Sequence, residues 1–162
     1  MSESAPVRVL VLGYGNPGRC DDGLGPALVE SLAAEALPGV TIDADYQLAV
    51  EDAAVIAEHD VVIFVDAAVK GTEPFYFRPV IPSPVVSFST HSLSPESLLG
   101  LARDVFQKER PGYVLGIRGY EFNEFGERLS PRAAANLERA RDFIGRVLRQ
   151  GNWAAAVTGS DE

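Results

Sequence analysis

The sequence predicts an α/β protein whose mainly parallel sheet is covered by helices on both faces. Three observations carry this. Short apolar runs rich in Val, Ile and Phe alternate with segments of helical spacing along the whole 162-residue chain. The first apolar run, Val9-Leu10-Val11-Leu12, opens directly into a glycine turn and then a helix. Two later helices announce themselves with Ser-Pro pairs, Ser94-Pro95 and Ser130-Pro131, each an N-cap residue followed by proline at the first helical position.

Taken in order, residues 7–13 form the first strand, and 24–37 the first helix, with Leu24, Ala27, Leu28 and Leu32 at helical spacing and Pro26 in the first turn, where its missing N–H is not needed. A strand follows at 40–45 and an alanine-rich helix at about 48–58. The most apolar run, Val61 to Val65, is a buried strand closed by Asp66, and 75–79 is a Pro-flanked strand that belongs at an edge. Helix 95–107, strand 113–118 and helix 131–150 complete the set, the last burying Leu137, Ala140, Ile144 and Val147 on one stripe while its arginines lie largely off it. Ligands of such a sheet bind beyond the carboxyl ends of the strands.

The composition, 46% hydrophobic and 23% charged, is that of one globular domain over 1–162, with 1–6 and 151–162 expected to be mobile ends and Trp153 anchoring part of the latter. A net charge of −9 disfavours nucleic acid and anionic membranes as partners. Cys20 is the sole cysteine, and neither end carries a leader-like apolar run, so a cytoplasmic, monomeric protein is expected.

The glycine turn decides the chemistry. Gly13, Gly15 and Gly18 match the dinucleotide pattern, in which a bare helix N-terminus receives a pyrophosphate. Here Asp21 and Asp22 stand in that anion site. A carboxylate about 4 Å from a phosphate is repelled by roughly 4 kcal/mol at an effective dielectric near 20, so the loop is suited to a cation. Asp22, Asp66 and His91 all fall at ends of core elements, and two carboxylates with one imidazole suit a divalent ion such as nickel or zinc. Competing roles exist for each: Asp22 or Asp21 as a helix cap, Asp66 as a turn former, His91 as a solvated loop histidine. His59, at a helix end beside Glu58 and Asp60, is expected only to complement the helix dipole. Cys20, flanked by carboxylates, is expected to be structural.

Gly13-x-Gly15-Asn16, then Asp21-Asp22-Gly23-x-Gly25, an apolar strand ending in Asp66, His91 ahead of a helix, and Gly126 with Leu129-Ser130-Pro131 together resemble the hydrogenase maturation endopeptidases over residues 7 to 150. That resemblance implies a three-layer α/β/α fold around a twisted five-stranded sheet, and removal of a C-terminal extension from the large-subunit precursor of a nickel-iron hydrogenase. It implies Asp22, Asp66 and His91 as the metal-contacting and catalytic residues, with nickel supplied by the substrate and no tightly bound cofactor, and Asp21 or Asp22 as base. Tyr46-Gln47-Leu48 and Arg118-Gly119-Tyr120-Glu121 depart from the family pattern, so Tyr46, Gln47, Arg118 and Tyr120, together with Asp21, are expected to bear on partner recognition. Two rival readings are a non-catalytic nucleotide-binding module, with Asp43 or Asp45 holding a ribose, and an esterase resembling the peptidyl-tRNA hydrolases through Gly15-Asn16-Pro17-Gly18.

Overall fold

A computed structural model describes residues 6–84 and 93–162. Its five strands, β1 (Val9–Tyr14), β2 (Val40–Asp45), β3 (Val61–Ala68), β4 (Phe75–Val80) and β5 (Gly112–Arg118), form one sheet in the order β2-β1-β3-β5-β4. All neighbours are parallel except β4, which runs antiparallel to β5 at the edge foreseen for the Pro-flanked strand.

Alternation along the buried strands divides the core in two. Val9 and Val11 of β1 and Val61, Ile63 and Val65 of β3 face helices α1 (Leu24–Ala33) and α4 (Pro131–Gln150). Leu10, Leu12, Val62 and Phe64 face the opposite layer, where α2 (Asp52–Ala57) packs beside α3 (Pro95–Phe106). Strands buried on both faces read as continuous apolar runs, which is why the sequence exposes them so clearly. Helix α4 is locked to the β4–β5 edge by aromatic packing, with the Phe143 ring centroid 4.7 Å from that of Phe75 and 5.5 Å from that of Phe77.

The helix starts behave as their residues dictate. Ser130 Oγ accepts from Ala133 N, and Ser94 and Ser97 form a reciprocal capping box. Four boundaries differ from expectation by two residues or more, the first being β1, which begins at Val9 rather than 7. Helix α1 ends at Ala33 rather than 37, because the chain turns there and Ala36 adopts φ +48°. Helix α2 is confined to 52–57, since Ala49 N donates to the Asp52 carboxylate and Leu48 is drawn into the core. Strand β3 runs two residues beyond Asp66, where Ala67 and Ala68 pair with Ile117 and Arg118, so Asp66 lies within the strand rather than closing it.

The segment 151–162, expected to be mobile, lies along β4. Trp153 packs against the α4 layer as foreseen, a short helical turn covers Ala154–Ala156, and Thr158 exchanges both backbone hydrogen bonds with Phe77.

Candidate active site

The connection from β1 leads through α1 outward to β2, and that from β2 leads back across the sheet to β3, so a crevice opens at the carboxyl ends of β1 and β3. Asp22 and Asp66 stand at this switch point. Glycines bring the first of them close. Gly15 sits at φ +140°, and a Cβ there would lie 2.0 Å from the Asp22 carbonyl oxygen. A Cβ on Gly25 would meet the Val65 and Tyr14 carbonyls at 2.5 and 2.6 Å, so the start of α1 presses onto β1 and β3. These glycines let the turn and helix press onto the strands, and the Asp22 carboxylate lies across the turn, where a negative charge disfavours a pyrophosphate.

Before α1 the chain makes a 3-10 turn over Cys20–Gly23, and here the two aspartates part company. Asp22 caps nothing: no side chain caps α1. Its Oδ2 instead accepts from Asn16 N at 2.8 Å, holding the half-buried carboxylate across the glycine turn. Asp66, on β3, faces the α2–α3 layer beside Tyr14. Burial pushes its carboxyl up to about 7, the Asp22 charge adds to that rise, and the Ala67 amide and Tyr14 hydroxyl only partly counter it. Tyr14 in turn is pushed far up by its own burial and by the charges of Asp66 and of Glu96 in the first turn of α3. Tyr76 lies across the face of Gly116, the β5 partner of Asp66. Sequence reasoning missed both tyrosines because each ends or interrupts an apolar strand and reads as core.

Asp21 corrects the expectation that it sits at the recognition surface or serves as base. It is 0% exposed. Its Oδ1 accepts from Ser130 N at 2.7 Å, and its Oδ2 accepts from Tyr120 N at 2.7 Å, Glu121 N at 3.0 Å and Ser130 Oγ at 2.7 Å. Burial alone would raise its pKa, but the hydrogen bonds from Ser130, Glu121 and Tyr120 outweigh it and hold the carboxyl below its usual range. Backbone bonds from Cys20 N to Gly126 O and from Gly126 N to Gly18 O extend the clamp. Cys20 is buried with its thiol 3.6 Å from Glu124 O, a structural role as expected.

The other expected recognition residues divide. Tyr46, 70% exposed, and Gln47, also exposed, stand free at the end of β2, beside a cleft of about 190 Å³ lined by Gly15, Pro17, Pro26, Ala44, Asp45 and Tyr46. Arg118 is engaged within the chain, donating to Gly71 O at 2.7 Å, and the Tyr120 hydroxyl bonds to Glu73 and to Asn136 while Arg132 stacks 4.2 Å from its ring. His59 is held at both ring nitrogens, by Val55 O at 2.7 Å and Thr41 Oγ1 at 3.0 Å, and does no more than tie α2 to β2. His91 lies outside the described residues. Among those described, no three His, Cys, Asp or Glu side chains converge as a metal cluster.

No family model and no curated protein matches the sequence. Solved structures do. The [NiFe] hydrogenase maturation protease HycI from Thermococcus kodakarensis superposes with a TM-score of 0.68 at 25% identity, over 88% of this chain and 93% of its own. This chain shares the fold of a hydrogenase maturation protease. An endopeptidase from Escherichia coli gives a TM-score of 0.64 at 26% identity, covering 94% of this chain and 96% of its own. The E. coli hydrogenase maturating endopeptidase HybD, 24% identical, repeats the fold at a TM-score of 0.62 over 90% and 94% of the two chains.

Proposed function

We propose that this chain is an endopeptidase that removes the C-terminal extension from the precursor of a [NiFe]-hydrogenase large subunit, with the nickel of the loaded precursor as the recognition element. One observation carries the reading: Asp22 and Asp66 meet at the switch point closely enough for one charge to raise the pKa of the other, in a fold shared with a hydrogenase maturation protease. A divalent cation relieves that repulsion. Two carboxylates with His91 as the third contact make a weak site for a free ion, yet a sufficient one for an ion already fixed in another protein. Contact with the metal reports that loading is complete, and the ion positions the cleavage site and polarises the scissile carbonyl or the attacking water. With the oxygens of Asp21 engaged, the carboxylate that accepts a proton from that water falls to Asp22 or Asp66.

Recognition falls to the exposed apolar side chains that ring the same end of the sheet: Tyr46 after β2, Val69 after β3 and Phe125 after β5, the last 85% exposed. Among the described residues no helix is long and apolar enough to cross a membrane. Incubating the purified protein with nickel-loaded precursor and measuring the released peptide by mass spectrometry tests the reading; an intact precursor refutes it.

A further inference from the structure

The outer edge of β4 is closed by the chain's own segment 157–161. Phe77 N donates to Thr158 O at 2.8 Å and Thr158 N to Phe77 O at 3.0 Å, an antiparallel pair. Thr72 N donates to Ser160 O at 2.8 Å, and Ser160 N to Thr72 Oγ1 at 2.9 Å. Asp161 pairs with Arg78 Nε at 3.0 Å, and Arg78 reaches Glu96 at the start of α3. This segment is held differently from the rest of the fold. Val157, Thr158, Gly159 and Ser160 are all exposed, so no buried side chain anchors it, whereas Trp153 and Ala156 just before it pack on the core.

Among the described residues, every bond holding it is one that another extended backbone can make, and its one ion pair asks only for a carboxylate opposite Arg78. The place is also significant. Gly159 rests against Tyr76, whose ring covers Gly116 and feels the charges of both Asp161 and Asp66, so the segment ends beside the acidic crevice.

We propose that the β4 edge is a docking strand for an extended, carboxylate-bearing segment of the protein substrate, and that residues 157–161 occupy it until that segment displaces them. The identity of the incoming strand rests on the precursor-processing reading; the displaceable edge does not. An uncovered strand edge pairs with whatever reaches it, so a resident segment also protects the free protein from self-association.

The test uses the full chain carrying Thr158→Pro and Asp161→Lys, which removes the donor to Phe77 O and reverses the pair with Arg78. A synthetic peptide with the sequence of residues 157–162 is added at millimolar concentration to this variant and to the parent, and amide NMR shifts are followed. Because the tethered segment competes at a millimolar effective concentration, the parent is expected to need severalfold more peptide than the variant for the same shifts at Tyr76, Phe77 and Arg78. Adding Arg78→Gln should abolish them. The variant should also cleave precursor severalfold faster at low substrate, through KM. A variant that melts like the parent but shows no shifts on adding peptide overturns the proposal, as does one that no longer folds, since the segment is then structural. Shifts without cleavage leave the docking edge standing and count against the endopeptidase reading instead.

Discussion

Asp21 and Asp66 are carboxylates at the same end of the same sheet, and water is largely withdrawn from both, yet their surroundings drive them in opposite directions. Four hydrogen bonds converge on Asp21 from the 120–130 segment, and its carboxyl is held down. Asp66 has the Ala67 amide and the Tyr14 hydroxyl against burial and the charge of Asp22, and it rises to about 7. Burial of an acid therefore does not mark function. What distinguishes the two among the described residues is the supply of donors: Asp21 is saturated and ties the fold together, whereas Asp66 has fewer donors and lies beside a like charge, which is the setting the proposed cation contact requires.

The sharpest way to break this contrast is to remove the tie. Asp21→Ala leaves the buried donors of Ser130 and the part-buried amides of Tyr120 and Glu121 without their acceptor and should cost about 3 kcal/mol of folding free energy, read by denaturant unfolding. Combining it with Ser130→Ala should cost less than the sum, because the two share one network. A loss under about 1 kcal/mol would place Asp21 outside the tie. At the other site the loss should appear in activity. Asp22→Asn and Asp66→Asn should each slow precursor cleavage by about a hundredfold, roughly 3 kcal/mol of transition-state stabilisation, with unfolding little changed or improved. Normal cleavage by Asp22→Asn would reduce Asp22 to a brace for Asn16.

Acid titration sharpens the comparison further, because the two shifts have opposite signs. Asp21, with a lowered folded pKa, contributes stability that is present above the unfolded value near 4 and is lost as pH falls through the folded value. Asp66, with a raised one, contributes stability that is present below about pH 4 and lost as pH rises toward 7, because the folded chain keeps a proton that the unfolded chain has released. Asp66→Asn should therefore gain in stability relative to the parent as pH rises from 4 to 7 and hold that gain above. A parallel pair of curves would show that Asp66 titrates normally. The smallest effects belong to the apolar rim: Tyr46→Ala and Phe125→Ala should raise KM a few-fold each, about 1 kcal/mol, and leave kcat unchanged.

The sequence makes the strands and helices legible because strands buried on both sides and capped helices write their own pattern, and Asp66 is visible as the acid that follows an apolar run. The division of labour between Asp21 and Asp22 is not legible. The donors that saturate Asp21 lie 99 to 109 residues away, so only tertiary structure distinguishes neighbours of one residue type. Tyr14 and Tyr76 are hidden for the opposite reason, since their rings belong to core strands while both feel the charge of Asp66. The placement of 157–161 on β4 rests on backbone hydrogen bonds and one ion pair, which leave no trace in hydrophobic spacing.

If Asp22 and Asp66 read a metal carried by the substrate, cleavage depends on that metal being present. Purified protein is incubated with two preparations of the same precursor, one nickel-loaded and one nickel-free, and release of the C-terminal peptide is quantified by mass spectrometry. Release from the loaded precursor alone, abolished by Asp22→Asn, is the predicted result; equal release from both preparations would contradict it.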